Sequence, residues 1–153
     1  MQPGGTAAGL SERADWEPPV WSRFRASTLE AHGRRNAATV LVVDDNEAVR
    51  VTVAEVLRFV GYTVIESGDG ADALRLLGAM KFDAMVLDLR MPRLDGASLL
   101  AALAKPPPVV VLSAYDADDE AWDNARRAVT AHLKKPVPPQ QLIEAVANAV
   151  SIT

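Results

Sequence analysis

The sequence predicts an α/β fold, a parallel five-stranded sheet with helices on both faces. Two observations carry this. Short runs of Val, Leu and Ile, each closed by a turn signal, alternate five times with stretches whose apolar residues recur at helical spacing. The connections are short, and alternation with short connections implies parallel strands covered by helices. Composition agrees: 153 residues make about one domain, and with 49% hydrophobic but only 5% aromatic residues the core must be aliphatic.

The ordered part opens at Thr39. Val40 to Val43 is an unbroken apolar run, as in a strand buried on both faces, and it ends abruptly at Asp44-Asp45. Val49, Val53, Val56, Leu57 and Val60 follow at helical spacing, with Arg50, Glu55 and Arg58 on the opposite face. Gly61 is expected to stop that helix. Tyr62 to Ile65 is strand two. Ser67-Gly68-Asp69-Gly70 is a turn, in which Asp69 or Gly70 caps a helix with Ala71, Ala73, Leu74 and Leu77 inward. Ala84 to Leu87 is strand three. Asp88 stands at its end, where Pro92 and Asp95-Gly96 redirect the chain.

A short helix is expected from about Ala97 to Ala104, closed by Pro106-Pro107-Pro108. Val109 to Leu112 is strand four, ending in Ser113-Ala114. Asp118, Asp119 and Glu120 favour a helix start by charge against dipole, and Ala121, Ala125, Ala128 and Val129 give that helix its apolar side. Trp122 on it is a packing residue or part of an output surface. Ala131 to Leu133 is a brief strand five, followed by Lys134-Lys135-Pro136. Leu142, Ile143, Val146, Ala149 and Val150 mark a last helix.

Residues 1–37 read differently. Gly4-Gly5, Pro18-Pro19 and Gly33 interrupt any periodicity, and charges of both signs are mixed, so a flexible or disordered leader is expected before a domain spanning 38–153. Trp16, Trp21 and Phe24 are unusual there; they read either as chance or self-docking residues or as a short partner-binding motif. His32 has no evident role. The net charge of −4, without a basic block, gives no nucleic-acid footprint. The absence of cysteine excludes disulfides and thiolate metal sites. No apolar run approaches the ~18 residues of a membrane span, and the start does not read as a signal peptide. A soluble cytoplasmic protein is the default expectation.

Four strand ends then matter together. Asp44-Asp45, Asp88, Ser113 and Lys135 follow strands one, three, four and five, and in a parallel sheet these ends point the same way, where open α/β sheets bind ligands. Three carboxylates crowded together raise one another's pKa unless a cation sits among them. An all-oxygen set with few protein ligands suits Mg²⁺, with Mn²⁺ the alternative, and the lack of cysteine and of clustered histidine argues against zinc. Asp88 would be the nucleophile toward phosphorus, with Lys135 and the Ser113 hydroxyl, or the amide after it, on the phosphoryl oxygens. Each piece has a plainer reading: Asp44-Asp45 as a helix N-cap, and Lys134-Lys135 as a solvated pair.

From about Thr39 to Ile152 the chain resembles the receiver domain of bacterial two-component response regulators, of the single-domain chemotaxis type or from a hybrid histidine kinase. The resemblance is carried by residues 42–47 (Val-Val-Asp-Asp-Asn-Glu), 88–96 (Asp-Leu-Arg-Met-Pro-Arg-Leu-Asp-Gly), 113–114 (Ser-Ala) and 133–136 (Leu-Lys-Lys-Pro). It implies a flavodoxin-like (βα)5 three-layer sandwich with strand order 2-1-3-4-5. It implies Asp88 as phospho-acceptor, Asp45 as direct metal ligand, Asp44 as its partner through water, and the Arg90 carbonyl as a further ligand. Ser113 would be the switch hydroxyl, Lys135 the phosphate-pairing lysine, and Lys135-Pro136 a cis bond.

The departures are also informative. His132 stands where the family usually has the switch Tyr or Phe, so it is either a ring that moves or simply an exposed one; if it couples, activation would depend on pH near neutrality. Arg90 and Tyr115 occupy positions that flank the attacking water in the family, which suggests slow dephosphorylation.

The expected function is therefore a phosphorylation-controlled signalling domain, not an enzyme beyond its own phosphoryl transfer and dephosphorylation. A histidine kinase or phosphotransfer protein would load Asp88. The chain ends soon after its last helix, so the output is expected to be a protein contact on helix four, strand five and helix five, to an unidentified downstream protein and not to nucleic acid. The alternatives are a pseudo-receiver that binds without accepting phosphate, and a Mg²⁺-dependent phosphohydrolase with an Asp nucleophile. The latter usually needs a carboxylate where this chain has Arg90.

Overall fold

The structure, a computed structural model, describes residues 38–114 and 128–152. The leader with its aromatics, Tyr115, Trp122 and most of the helix expected near 118–129 lie outside the described residues. Five strands form one parallel sheet: β1 (Thr39–Val43), β2 (Thr63–Ser67), β3 (Ala84–Asp88), β4 (Val109–Ser113) and β5 (Val129–Lys134). Their order is 2-1-3-4-5, as the resemblance implied. The described helices are α1 (Glu47–Phe59), α2 (Gly70–Ala79), α3 (Gly96–Ala101) and, last, α4 (Pro139–Ile152).

Strand alternation divides the core into two layers. Val40, Val42, Val64, Ala84, Val86, Val110 and Leu112 face one way and meet Val53, Ala54 and Leu57 of α1 and Ile143, Val146 and Ala149 of α4. Leu41, Val43, Met85, Leu87, Val109 and Val111 face the other way and meet Ala73 of α2 and Leu99 and Leu100 of α3. Strands β1, β3 and β4 are therefore apolar at nearly every position, because both faces are covered.

Several boundaries differ from the sequence reading. Strand two begins one residue later and runs on to Ser67, because Val43 pairs with Ser67 at the end of the β1–β2 register. The edge strand β5 is twice the expected length. Its residues alternate between half-buried and exposed, so the apolar run understated it. Thr130 is the extra residue of a bulge opposite Val109 and Val110, and its hydroxyl donates to the Val109 carbonyl at 3.2 Å. Helix α3 ends at Ala101, well before the prolines. In α2, Ala71 is exposed, and Gly70 and Ala73 are the buried residues.

The capping residues explain where helices start and stop. Asn46, not Asp44 or Asp45, is the N-cap of α1; its side chain accepts from the Val49 N–H at 3.2 Å. Asp69 caps α2 and Asp95 caps α3 in the same way. Gly61, at φ 113°, follows α1 in the left-handed region, where the Gly61 N–H reaches the Arg58 carbonyl and the Tyr62 N–H the Leu57 carbonyl, both at 3.1 Å. The end of β3 is held from α3. A Cβ at Gly96 would lie 2.7 Å from the Asp88 carbonyl oxygen, so only glycine allows α3 to start there.

Candidate functional site

The two-residue period that builds the core also builds the site. Asp44 continues the row of Val40 and Val42, Asp88 the row of Ala84 and Val86, and Lys135 the row of Ala131 and Leu133. All three therefore leave the sheet on the α1–α4 face at its carboxyl end. Pairing extends one step past the strands to hold them there: the Asp44 N–H donates to the Ser67 carbonyl at 3.2 Å, and the Lys135 N–H to the Ser113 carbonyl at 2.8 Å.

The side chains converge. Lys135 Nζ lies 2.9 Å from Asp44 Oδ2 and 3.5 Å from Asp88 Oδ2. Asp44 Oδ1 accepts from the Asn46 N–H at 2.9 Å, and Asp88 Oδ1 from the Arg90 N–H at 3.2 Å. Carboxylate oxygens of Asp44, Asp45 and Asp88 all lie within 4.8 Å of one another. Asp44 is 2% exposed and Asp88 8%, while Asp45 faces solvent. The Lys135-Pro136 peptide is cis, as the resemblance implied.

Burial, and then the neighbouring charge of Asp44, push the Asp88 carboxyl up to about 6 from the ordinary 3.8; Lys135 and the Arg90 N–H pull the other way without prevailing. Burial alone would lower the Lys135 ammonium. Its contacts with Asp44 and Asp88 outweigh that and raise it, so Lys135 is charged at neutral pH. Three carboxylates against one ammonium leave excess negative charge in a half-closed pocket of oxygen donors. That chemistry fits a hard divalent cation.

Ser113 is buried at the end of β4 and His132 is exposed on β5. Ser113 pairs with Lys134 and Val111 with His132, which puts Ser113 and His132 on the α2–α3 side of the sheet, opposite to Lys135. The structure thus brings Asp44, Asp45, Asp88 and Lys135 together and carries Ser113 and His132 on the opposite face. Lys134 is exposed beside the site.

Arg50 departs from the helical spacing, which puts it on the outer face of α1. Instead its guanidinium turns back, donating from Nη1 to the Asp44 carbonyl at 2.9 Å and approaching Glu66 at 3.4 Å. An arginine one turn into a helix that follows an acidic corner is the sequence signal that was available, since helical side chains lean toward the N-terminus.

A 2-1-3-4-5 parallel sheet with an acidic triad and a facing lysine at its carboxyl rim is the arrangement that the resemblance to receiver domains implied. The comparisons with known proteins are specific. The family model described as response regulator receiver domain matches residues 40–147. The transcriptional regulatory protein PdtaR of Mycobacterium tuberculosis is 38% identical over 115 residues, covering 73% of this chain and 56% of that protein. The response regulator MprA of Mycobacterium ulcerans is 37% identical over 107 residues, covering 68% and 46%.

Among solved structures, a CheY-like receiver domain protein from Methanospirillum hungatei superposes with a TM-score of 0.70 at 27% identity, over 75% of this chain and 95% of that one. The chemotaxis protein CheY4 of Vibrio cholerae gives 0.66 at 27%, over 74% and 99%. The chain belongs to the response regulator receiver domain family of two-component systems. It spans about half the length of the curated relatives it matches. No helix among the described residues is long and apolar enough to cross a membrane.

Proposed function

We propose that Asp88 accepts a phosphoryl group from a histidine kinase or a phosphotransfer protein in a Mg²⁺-dependent reaction, and that the loaded domain signals through a protein contact. The observation that carries this reading is the convergence of Asp88 with Asp44, Asp45 and Lys135 on one side of the sheet's carboxyl end. Asp44, Asp45, Asp88 and the Arg90 carbonyl would hold the ion. When bound, Mg²⁺ supplies positive charge beside the phosphoryl oxygens.

The chain's own groups do the rest. With a proton affinity near 6, Asp88 is mostly ionised at neutral pH and can attack. One of its oxygens bonds to phosphorus as the bond from phosphorus to the donor imidazole nitrogen breaks; that electron pair stays on the nitrogen, which takes up a proton. Lys135, already within 3.5 Å of Asp88, stands as a fixed ammonium against the transferred charge. Ser113 turns its hydroxyl toward the new phosphoryl oxygens. His132, on the same face as Ser113, follows that movement and reshapes β5 with the segments on either side, including α4. The receiver is taken to span 38–153 with residues 1–37 as a leader, a division supported by a family match that starts at residue 40.

The test is incubation with a small acyl phosphate and Mg²⁺, followed by intact mass. The expected result is a gain of one phosphoryl group that Asp88→Ala does not show. An unmodified wild-type protein would mean a binding module, and steady turnover of a phosphate ester would mean a hydrolase.

A further inference from the structure

Arg50 sits one turn into α1, just after the corner formed by Asp44, Asp45 and Asn46. Its side chain is only 18% exposed and is engaged on two sides. Nη1 donates to the Asp44 carbonyl at 2.9 Å, and Nε lies 3.4 Å from Glu66, whose other oxygen is 3.2 Å from Arg58. A Cβ at Gly68 would come within 3.1 Å of Nη1, so the guanidinium fills the space against the turn after β2.

The Asp44 carbonyl belongs to the peptide that joins the two acidic residues. The Asp44 N–H is held by Ser67 and its carboxylate by Asn46 and Lys135. The remaining freedom is rotation of the Asp44–Asp45 peptide plane. That rotation would swing the Asp45 carboxylate toward or away from the pocket, and the Arg50 bond opposes it.

We propose that Arg50 is a positioning residue for the divalent-cation site: it fixes the Asp44–Asp45 peptide, with Glu66 holding the guanidinium in place. The proposal rests on the metal reading above. It makes a prediction of opposite sign to simple electrostatics. A cationic side chain near a cation site repels the ion, so charge alone would make its removal tighten binding. Positioning makes its removal weaken binding, and partners behind metal ligands typically govern about 10- to 100-fold in affinity.

The experiment is calorimetric titration of Mg²⁺ into the full chain of wild type, Arg50→Met, Arg50→Lys and Asp45→Asn, with urea unfolding in EDTA to establish that each is folded. Arg50→Met is expected to bind about tenfold more weakly. Arg50→Lys is expected to fall between, since an ammonium can meet the carbonyl but lacks the planar fork that meets Glu66 as well. Unchanged or tighter binding by folded Arg50→Met overturns the proposal. Should that variant not fold, Arg50→Lys decides, because it keeps the positive charge: weaker binding supports the proposal, and unchanged or tighter binding overturns it. If Asp45→Asn also binds like wild type, the metal reading itself has failed, and the role of Arg50 falls with it.

Discussion

Replacing Asp88 with asparagine is expected to stabilise the metal-free protein at neutral pH. The carboxyl is held at about 6 in the folded chain against an ordinary 3.8. Between those values the folded state binds a proton that the unfolded state has released, so stability falls as pH rises through the window. The penalty is absent well below 3.8, still growing at pH 5 and complete above about 6. Roughly two pH decades at about 1.4 kcal/mol each put its ceiling near 3 kcal/mol, with about half of that already present at pH 5.

Asparagine keeps the shape and removes the charge. It also gives up the attraction to Lys135 at 3.5 Å, which is already included in the displaced value. A net gain of about 1–3 kcal/mol at pH 7.5 is the expectation, shrinking at pH 5. Urea unfolding in EDTA at both pH values measures it. An Asp88→Asn protein no more stable than wild type at pH 7.5, or one whose advantage ignores pH, would refute the reasoning. On the proposed function, adding Mg²⁺ should narrow the gap, because an ion held by the folded wild type would stabilise it by mass action.

Lys135→Met leaves Asp44, 2% exposed, and Asp88 without their ammonium. Breaking a buried pair costs about 3–5 kcal/mol, and the partial exposure of Lys135 should reduce this to roughly 2, with the Asp88 carboxyl titrating above 6 by carbon NMR. Gly96→Ala forces a Cβ to 2.7 Å from the Asp88 carbonyl oxygen and 2.9 Å from Leu89 Cα, both main chain, so about 1–3 kcal/mol should be lost in urea unfolding, together with phosphoryl acceptance. An alanine variant of full stability and activity would show that α3 can move off the end of β3. Burial pushes the Tyr62 phenol up to about 12, so phenolate absorbance should show one tyrosine ionising only near the alkaline unfolding transition.

The sheet was legible because its strands are short aliphatic runs at regular spacing; Val40 to Val43 reads the same in sequence and in the buried core. Strand order was not legible from periodicity. Any order of parallel strands satisfies the same pattern, and only the resemblance supplied 2-1-3-4-5. Edges were misjudged where burial is partial. β5 lies at the rim, so Thr130, His132 and Lys134 can face water without ending the strand. Asp44, Asp88 and Lys135 were found because charged residues directly after buried strands are conspicuous. Arg50 was missed because its role depends on a side chain that folds back toward the helix N-terminus, which helical spacing does not encode.

What makes Asp88 costly to the fold also makes it useful. Its row on β3 is a core row, so the carboxylate is carried by the same alternation that buries Ala84 and Val86. Asp44 arrives beside it on β1 by the same rule. A sheet assembled for packing alone would place valines there. Two acids instead conflict locally with an otherwise consistent sequence, and such conflicts concentrate at functional sites. The raised proton affinity of Asp88 measures that conflict. Anything that brings positive charge to the rim relieves it, whether a dication between the acids or the ammonium of Lys135. On the proposed function, added phosphoryl charge would deepen it, and the surrounding groups would rearrange in response. The last layer of this core is left electrostatically unresolved, which is where an ion and a phosphoryl group would act on its conformation.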